Sequence, residues 1–215
     1  MDPWPLRHLV LRTPRLELRP DDDAGLLELA AEAERGVHPP DEMPFGVEWT
    51  DAPRERLGFN AVRHHWSMRA SLSSEHWTVN FLVRLDGRVI GVQSLSGESF
   101  AVTREVSTGS WLGLRHQGRG LGTEMRAAVL LFAFDLLGAA TARSSAFVDN
   151  PASLAVSRKL GYRADGSFVQ VRRGRAAVQT RLLLASADLV RPGWELSVTG
   201  VTPCLGLLTG REPTE

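Results

Sequence analysis

The sequence predicts a mixed α and β fold built on one sheet, and three observations carry that prediction. Two alternating apolar runs flank Asp86-Gly87, a two-residue hairpin signal that brings antiparallel pairing. Residues 105–160 read strand, helix, strand, helix, an order that builds a parallel pair through a right-handed crossover. The 215 residues, 43% hydrophobic and 23% charged, suit one domain with a buried core, and no internal repeat or low-complexity tract interrupts them.

In chain order, residues 9–19 alternate at Leu9, Leu11, Leu16 and Leu18 with Pro14 interrupting, which reads as an edge strand. Asp21, Asp22 and Asp23 put negative charge where a helix begins; that helix carries Leu26, Leu27, Leu29 and Ala30 and ends near Gly36. Residues 36–51 hold three prolines and two glycines beside Met43, Phe45 and Trp49, an irregular loop whose apolar content must pack against something. A second helix is expected from Pro53, a residue suited to a first helical turn, to about Ser73. Strands follow at 76–85, 88–95 and 105–114. Residues 120–137 form a helix with Leu121, Met125, Val129 and Phe132 on one face, and 141–148 a further strand. Asp149-Asn150-Pro151 opens a short helix that Gly161 ends, and 168–173 and 176–184 form a hairpin across Gly174.

Composition narrows the function. The longest apolar run, residues 127–134, is far short of the ~20 residues that span a bilayer. Met1-Asp2-Pro3-Trp4-Pro5 has an early acid and no apolar stretch, unlike a secretory signal. Cys204 is the single cysteine and cannot form an internal disulfide, so a reducing, cytoplasmic setting suits the chain. Formal net charge is zero, 25 basic against 25 acidic residues, which argues against a nucleic-acid partner and against a membrane-surface protein. That zero is uneven. Residues 1–60 carry 7 basic and 13 acidic side chains, net −6, and residues 111–185 carry 11 and 4, net +7, so one wall can meet a cation and another an anion. No set of His, Asp, Glu and Cys has metal-ligand spacing, so no metal is expected; His64 and His65, beside Trp66, read as surface or groove residues.

Between the strand ending at Leu114 and the helix opening at Gly120 lies Arg115-His116-Gln117-Gly118-Arg119-Gly120-Leu121-Gly122-Thr123. Alternating glycines at a strand-to-helix junction allow close backbone approach, and first-turn amides with the helix dipole make an anion site. A tight turn alone would use the same glycines. The spacing lacks the third glycine of the dinucleotide fingerprint, and no Gly-x-x-x-x-Gly-Lys-[Ser/Thr] occurs. What remains, Gln-x-x-Gly-x-Gly at Gln117, Gly120 and Gly122, resembles the pyrophosphate-binding motif of the Gcn5-related N-acetyltransferase (GNAT) superfamily. A second stretch, Asn150-Pro-Ala-Ser153-Leu-Ala-Val156-Ser-Arg-Lys159-Leu-Gly161-Tyr162, resembles the same family's Asn-x-x-Ser-x-x-Val-x-x-Lys-x-Gly-[Phe/Tyr] helix. Leu11-Arg-Thr-Pro-Arg-Leu16-x-Leu18-Arg19 and Gly109-Ser110-Trp111-Leu112 are similar to the RimJ/RimL branch, whose members acylate protein amino termini. Residues 36–50, 117–130 and 147–153 are similar to a bacterial RimL-like subgroup with proposed succinyl transfer, which leaves the acyl group open. The resemblance covers residues 9–186.

The resemblance implies the GNAT fold, a central mixed and mostly antiparallel twisted sheet with a splayed parallel pair and about four flanking helices. It implies an acyltransferase domain over 1–186 with a tail at 187–215. The implied activity is acyl-CoA-dependent N-acyl transfer, moving an acetyl or succinyl group from acetyl-CoA or succinyl-CoA to a primary amine by direct transfer in a ternary complex. The acceptor is a protein amino terminus or lysine. By the same resemblance the backbone of Trp111, Leu112 and Leu114 holds the pantetheine and thioester, with Gly113 marking a bulge. The amides of Gln117, Gly118, Arg119, Gly120, Leu121, Gly122 and Thr123 hold the pyrophosphate. Asn150 adds a contact to the cofactor arm, although capping of its helix alone accounts for it.

The family's tyrosine proton donor, seven residues after that asparagine, is Ser157 here; RimL-like members share a serine at Ser153, which becomes the implied donor to the leaving thiolate. A local bond to the backbone is the plainer explanation of Ser153. The glutamate that family members often carry four residues before the strand tryptophan is Ser107 here. Glu105 shares that strand face by parity and is one candidate base. His38, with an ordinary value of about 6.5, is another. His38, Asp41, Glu42, Phe45 and Trp49 border the implied acceptor groove. An α-amino group, at about 7.7–8.0, is partly neutral at pH 7, whereas a lysine near 10.4 needs more help, so the missing glutamate favours an amino-terminal or small-amine acceptor, or a base from the loop. Two other readings stay open: the same fold acting on a small aminoglycoside-like amine, and a non-catalytic acyl-CoA sensor. Beyond residue 186, Pro192, Pro203 and Pro213 interrupt the tail, while Trp194, Leu196, Val198 and Val201 suggest one more strand. The tail covers the sheet or pairs with another subunit of a homo-oligomer.

Overall fold

Asp86 and Gly87 take φ of 50° and 78°, the doubly positive turn that reverses the chain between two long strands. Around that hairpin the computed structural model, which describes residues 2–210, builds one nine-stranded sheet. Pro213 lies outside the described residues. In chain order the elements are β1 (Val10–Arg12), β2 (Leu16–Pro20), α1 (Asp23–Glu34), α2 (Arg54–Ala70), β3 (His76–Leu85), β4 (Arg88–Glu98), the single-turn α3 (Phe100–Thr103) and β5 (Glu105–Leu112). There follow α4 (Leu121–Leu131), β6 (Thr141–Phe147), α5 (Pro151–Lys159), β7 (Arg163–Arg172), β8 (Arg175–Ala185), β9 (Ser197–Thr199) and α6 (Leu205–Thr209). The sheet runs β7-β8-β6-β5-β4-β3-β2-β1-β9, antiparallel throughout except for β5 beside β6.

Three sequence expectations change. Residues 9–19 are not one edge strand but a hairpin, because Pro14 cannot continue the ladder and Thr13 Oγ1 accepts the Leu16 amide at 3.0 Å to turn the chain. Neither arm is an edge: β2 pairs with β3, and β9 from the tail covers β1. The helix expected over 120–137 is α-helical only to Leu131 and widens into a π-helical stretch, Phe132–Leu137, which Gly138 ends at φ 71°. Gly113 is not a bulge; it follows β5 in extended conformation, its amide donating to Ile90 O at 2.9 Å. The bulge lies in β4, where the register with β3 shifts next to Gly91.

One face of the sheet packs α4, its π-helical extension and the tail into a core centred on Phe81, Phe100 and Phe132; the other face carries α1 and α2 over Leu82, Val89 and Val92. Cys204 lies in the first core, where burial pushes its thiol up to about 11. No helix among the described residues is long and apolar enough to cross a membrane.

The parallel pair is short. β5 and β6 share the pairs Glu105–Thr141, Val106–Ala142 and Ser107–Arg143, and no register continues beyond them. From there β6 follows β8 to Phe147 while β5 follows β4 to Leu112, so a wedge opens between two strands that each keep another partner. Ser144 Oγ, donating to Thr108 O at 3.2 Å, closes its apex.

Candidate active site

The wedge is the inner part of a cleft of about 660 Å³, in the range of small-molecule sites. Thr108 to Leu112 form one wall and Ser144, Ser145 and Ala146 the other; the glycine turn and the first turn of α4 form the floor at one end. Gly118 and Gly120 take φ of 72° and 77°, conformations that cost a side chain strain, and their alternation turns the backbone into the cleft. The first amides of α4 have no carbonyl in their own helix to bond, so they and the helix dipole present positive potential there. Gln117 locks the turn in place: its Nε2 donates to Leu112 O at 2.9 Å and to Val37 O at 2.7 Å, joining strand, turn and the 36–52 loop. On the outer side Glu124 accepts from Thr13 Oγ1 and Arg15 Nε, both at 2.6 Å, and Arg15 Nη1 donates to Arg119 O at 3.1 Å. The first hairpin thus braces α4.

Across the cleft, Asn150 caps α5 through Oδ1, which accepts the Ser153 amide at 3.0 Å. One turn on, Ser157 Oγ donates to Ser153 O at 3.0 Å and accepts from Arg126 Nη1 at 2.9 Å. Arg126 Nη2 reaches Ser110 Oγ on β5 at 3.3 Å. Ser110, Arg126 and Ser157 therefore link β5, α4 and α5 where the three elements close on the cleft.

The 36–52 loop closes the opposite side. Its rings run in series onto β5, with His38 to Phe45, Phe45 to Trp49 and Trp49 to Trp111 centroids 5.6, 5.3 and 5.5 Å apart. The β7–β8 hairpin holds it from outside. Gln170 Nε2 donates to Gly46 O at 2.8 Å, Arg172 Nη1 to Met43 O at 3.2 Å, and Arg173 pairs with Asp51 at 2.7 Å. The Arg173 hydrogen bond holds the Asp51 carboxyl below its ordinary 3.8, so this tie is complete above about pH 4 and is lost only as pH falls through the lowered value. At neutral pH the tie is charged. We expect Arg173→Ala to leave Tm within about 2 °C, as for an exposed pair, while trypsin or chymotrypsin cleaves the loop several-fold faster and the acceptor KM rises about threefold or more. Unchanged proteolysis would show that the rings alone hold the loop.

The structure brings most of the sequence candidates together. Trp111, Leu112, Gln117, Gly118, Gly120, Gly122, Thr123, Asn150 and Ser153 line the cleft, and so do His38, Glu42 and Phe45. Leu114, Arg119 and Leu121 do not. The Leu114 amide donates to Gly36 O at 3.0 Å, Arg119 projects outward, and Leu121 is in the core. Asp41 is exposed beside the cleft, and Trp49 lies behind Phe45. His38 has both ring nitrogens engaged, Nδ1 donating to Pro39 O and Nε2 accepting from Thr50 Oγ1, each at 2.7 Å. It holds the loop's shape as placed.

Glu105 is a correction. Its parity with Trp111 is right, but it stands below the wedge's apex and lines a different depression, with Thr141 Oγ1 donating to it at 2.8 Å and Arg143 Nε at 2.7 Å. A carboxylate in that ion pair is not free to take a proton from an amine in the cleft. Sequence reasoning missed Arg15, Ser110 and Arg126. Arg15 was within a quoted motif, and its alternation with Leu16 could have flagged it; Arg126 carried no signal, since a lone arginine on a helix reads as surface.

The comparisons agree with this geometry. The model of the acetyltransferase (GNAT) domain matches residues 9–163. Among solved structures, RimJ from Mycobacterium smegmatis, in complex with CoA-disulfide, aligns with a TM-score of 0.66 at 18% identity, covering 87% of this chain and 91% of that one. A GCN5-related N-acetyltransferase from Brucella melitensis gives 0.64 at 20% identity over 83% and 79%. A chimera of the spermidine N-acetyltransferase SpeG from Vibrio cholerae gives 0.60 at 16% over 80% and 96%. At such identities the likeness speaks for the fold. A family match over most of the chain, ending past the asparagine helix and spanning the glycine turn, goes further: the chain belongs to the GNAT acetyltransferase domain family.

Proposed function

We propose that this chain is a RimJ/RimL-like N-acyltransferase that moves an acetyl or succinyl group from acyl-CoA to a primary amine on a protein, by direct attack within a ternary complex. The observation that carries the reading is the wedge itself: it opens beside a glycine turn and the unpaired first-turn amides on the α4 side and beneath an acidic, aromatic loop on the α1 and α2 side. Donor and amine can therefore meet through the sheet with no covalent enzyme intermediate.

In this reading the amides from Gln117 to Thr123 hold the pyrophosphate, with Arg15 and Arg119 beside them, and the β5 edge at Trp111 and Leu112 aligns the pantetheine. Gly118 and Gly120 fit that duty because their backbone is already turned inward, and Gly122 because no protein atom fills its side-chain space. Glu42 offers a carboxylate to a cationic acceptor at the rim. With Glu105 paired elsewhere, the acceptor that suits the cleft is an α-amino group, already partly neutral at pH 7. Ser153 supplies the proton to the departing sulfur. The catalytic unit is residues 1–186, and of the tail at 187–215 the described residues 187–210 pack on it through the strand that covers β1.

A peptide panel and a small-amine panel, each followed by free-thiol release, separate a protein acceptor from an aminoglycoside-like one. Ser153→Ala is expected to lower kcat about tenfold to a hundredfold. An unchanged kcat removes Ser153 from the mechanism, and no thiol release with any acceptor, despite donor binding, favours a sensor.

A further inference from the structure

Arg126 is a cation without a counter-ion. Its side chain is 5% exposed and lines the cleft, and no carboxylate among the described residues pairs with it. Of its five N–H bonds it spends one on Ser157 Oγ at 2.9 Å and one on Ser110 Oγ at 3.3 Å, and its Nε has no hydrogen-bond partner. Tyr162 is the titratable group that acts on it, but burial pushes that phenol up, so it stays neutral and offers no charge. Burial likewise pushes the guanidinium down. Such a desolvated charge costs stability relative to an apolar side chain, and an anion brought by the substrate offsets that cost.

We propose that Arg126 is a catalytic residue that faces the donor's sulfur and holds the negative charge that appears there when the thioester C–S bond breaks. This rests on the acyl-CoA reading above, and the register of β5 supports it. A cofactor arm that starts at the glycine turn and follows β5 back into the wedge passes Leu112 and Trp111, and brings its thioester to the level of Ser110. Alternate residues of a strand point to opposite faces: Trp111 meets Trp49 of the 36–52 loop, and Ser110 meets Arg126 of α4. The amine comes from the first side and the donor lies on the second, so Arg126 meets the atom that the donor keeps, its sulfur. The phosphates stay at the turn, one helical turn or about 6 Å back along α4 from Arg126 to Gly122. In the reaction the amine nitrogen bonds the carbonyl carbon, and the C–S bond breaks with its electron pair left on sulfur. The amine's proton passes to water; Ser153 then protonates the sulfur and is itself reprotonated from water. Between cleavage and protonation the sulfur is an anion. A buried guanidinium with unspent N–H bonds is already in place for it, and a contact stronger with that anion than with the neutral thioester lowers the barrier. Ser110 adds to it, since its Oγ accepts from Arg126 and keeps its own hydrogen, whereas Ser157 has given its hydrogen to Ser153 O.

The test needs no acceptor, because free CoA carries the same sulfur. The thiol of bound CoA is titrated by its ultraviolet thiolate absorbance, and dissociation constants for CoA and acetyl-CoA are measured by calorimetry below and above a thiol's ordinary value of about 8.5. In the wild type the bound thiol is expected to titrate at least about one unit lower than free CoA. CoA then gains about tenfold or more in affinity at the higher pH relative to acetyl-CoA, which has no thiol to ionise. In Arg126→Met the shift vanishes, acetyl-CoA still binds within about threefold of wild type, and Tm holds or rises because a buried unpaired charge is gone; Arg126→Lys recovers part of the shift. A wild-type bound thiol that titrates no lower than free CoA overturns the proposal. So does an Arg126→Met variant that keeps the shift, or one that weakens CoA and acetyl-CoA alike at both pH values, since that marks a role in holding the walls of the cleft. A wild-type protein that binds neither ligand is a different failure, and overturns the acyl-CoA reading itself.

Discussion

Gly122→Val is expected to fold and to lose its donor. Gly122 does not need glycine for its backbone: it lies in the first turn of α4 and is not among the residues with positive φ. Nor does packing demand it, since an added Cβ meets nothing nearer than Val156 at 3.9 Å and Leu112 at 4.0 Å. The space beside it is the cleft, and the amides around it are the unpaired first-turn donors of the helix. Valine is no worse a helix former than glycine, so Tm is expected to stay within about 3 °C of wild type. Its methyl groups occupy the path of any anion that approaches those amides. Affinity for CoA, measured by calorimetry, is expected to drop at least a hundredfold, because the close approach that makes the site strong is gone. Affinity within threefold of wild type would remove the turn from the binding site. Gly120→Ala is the control: at φ 77° it adds about 1 kcal/mol of backbone strain, so it trades stability as well as binding.

Gly91→Ala is expected to show the opposite pattern, with the fold failing first. The added Cβ would sit 2.2 Å from Trp111 O and 2.8 Å from Leu112 Cα, both backbone atoms of β5 that no rotamer change can move. Relief requires prying β4 from β5 at Gly91–Leu112 and Val92–Trp111, the last pairs of that ladder. Overpacking of a tight core costs about 1–3 kcal/mol and more where backbone must shift, so a loss of about 3 kcal/mol in urea unfolding and about 10 °C in Tm is the expected result. Because the same pairs hold the edge that faces the wedge, donor affinity falls with stability in this variant. A loss below 1 kcal/mol would mean that the β4 bulge is loose enough to absorb a methyl group.

These two glycines were not equally readable. Gly122 stands in a contiguous motif whose chemistry is local, whereas Gly91 is an ordinary residue of an alternating strand until β5 is laid against it. Glu105 repeats the lesson. Period-two parity correctly put it on the face of Trp111, yet its availability was decided by Arg143 and Thr141, which arrive from β6. The first hairpin read as an edge because the strand that covers it begins at Ser197, far along the chain from Arg12.

The geometry of the glycine turn and of the capped α5 was therefore determined by the sequence itself. Turn glycines, an asparagine cap and the first turn of a helix act through atoms only a few residues apart, so contiguous residues encode them completely. The seating of the 36–52 loop and the pairing of charges within the cleft were decided only by the tertiary structure. Arg173 against Asp51, Gln170 against Gly46, and Arg126 left between Ser110 and Ser157 join distant segments, and whether a buried charge finds a partner depends on which segment packs beside it. The opening net charge of zero, with its basic stretch and its acidic one, was the only trace of that arrangement in the sequence.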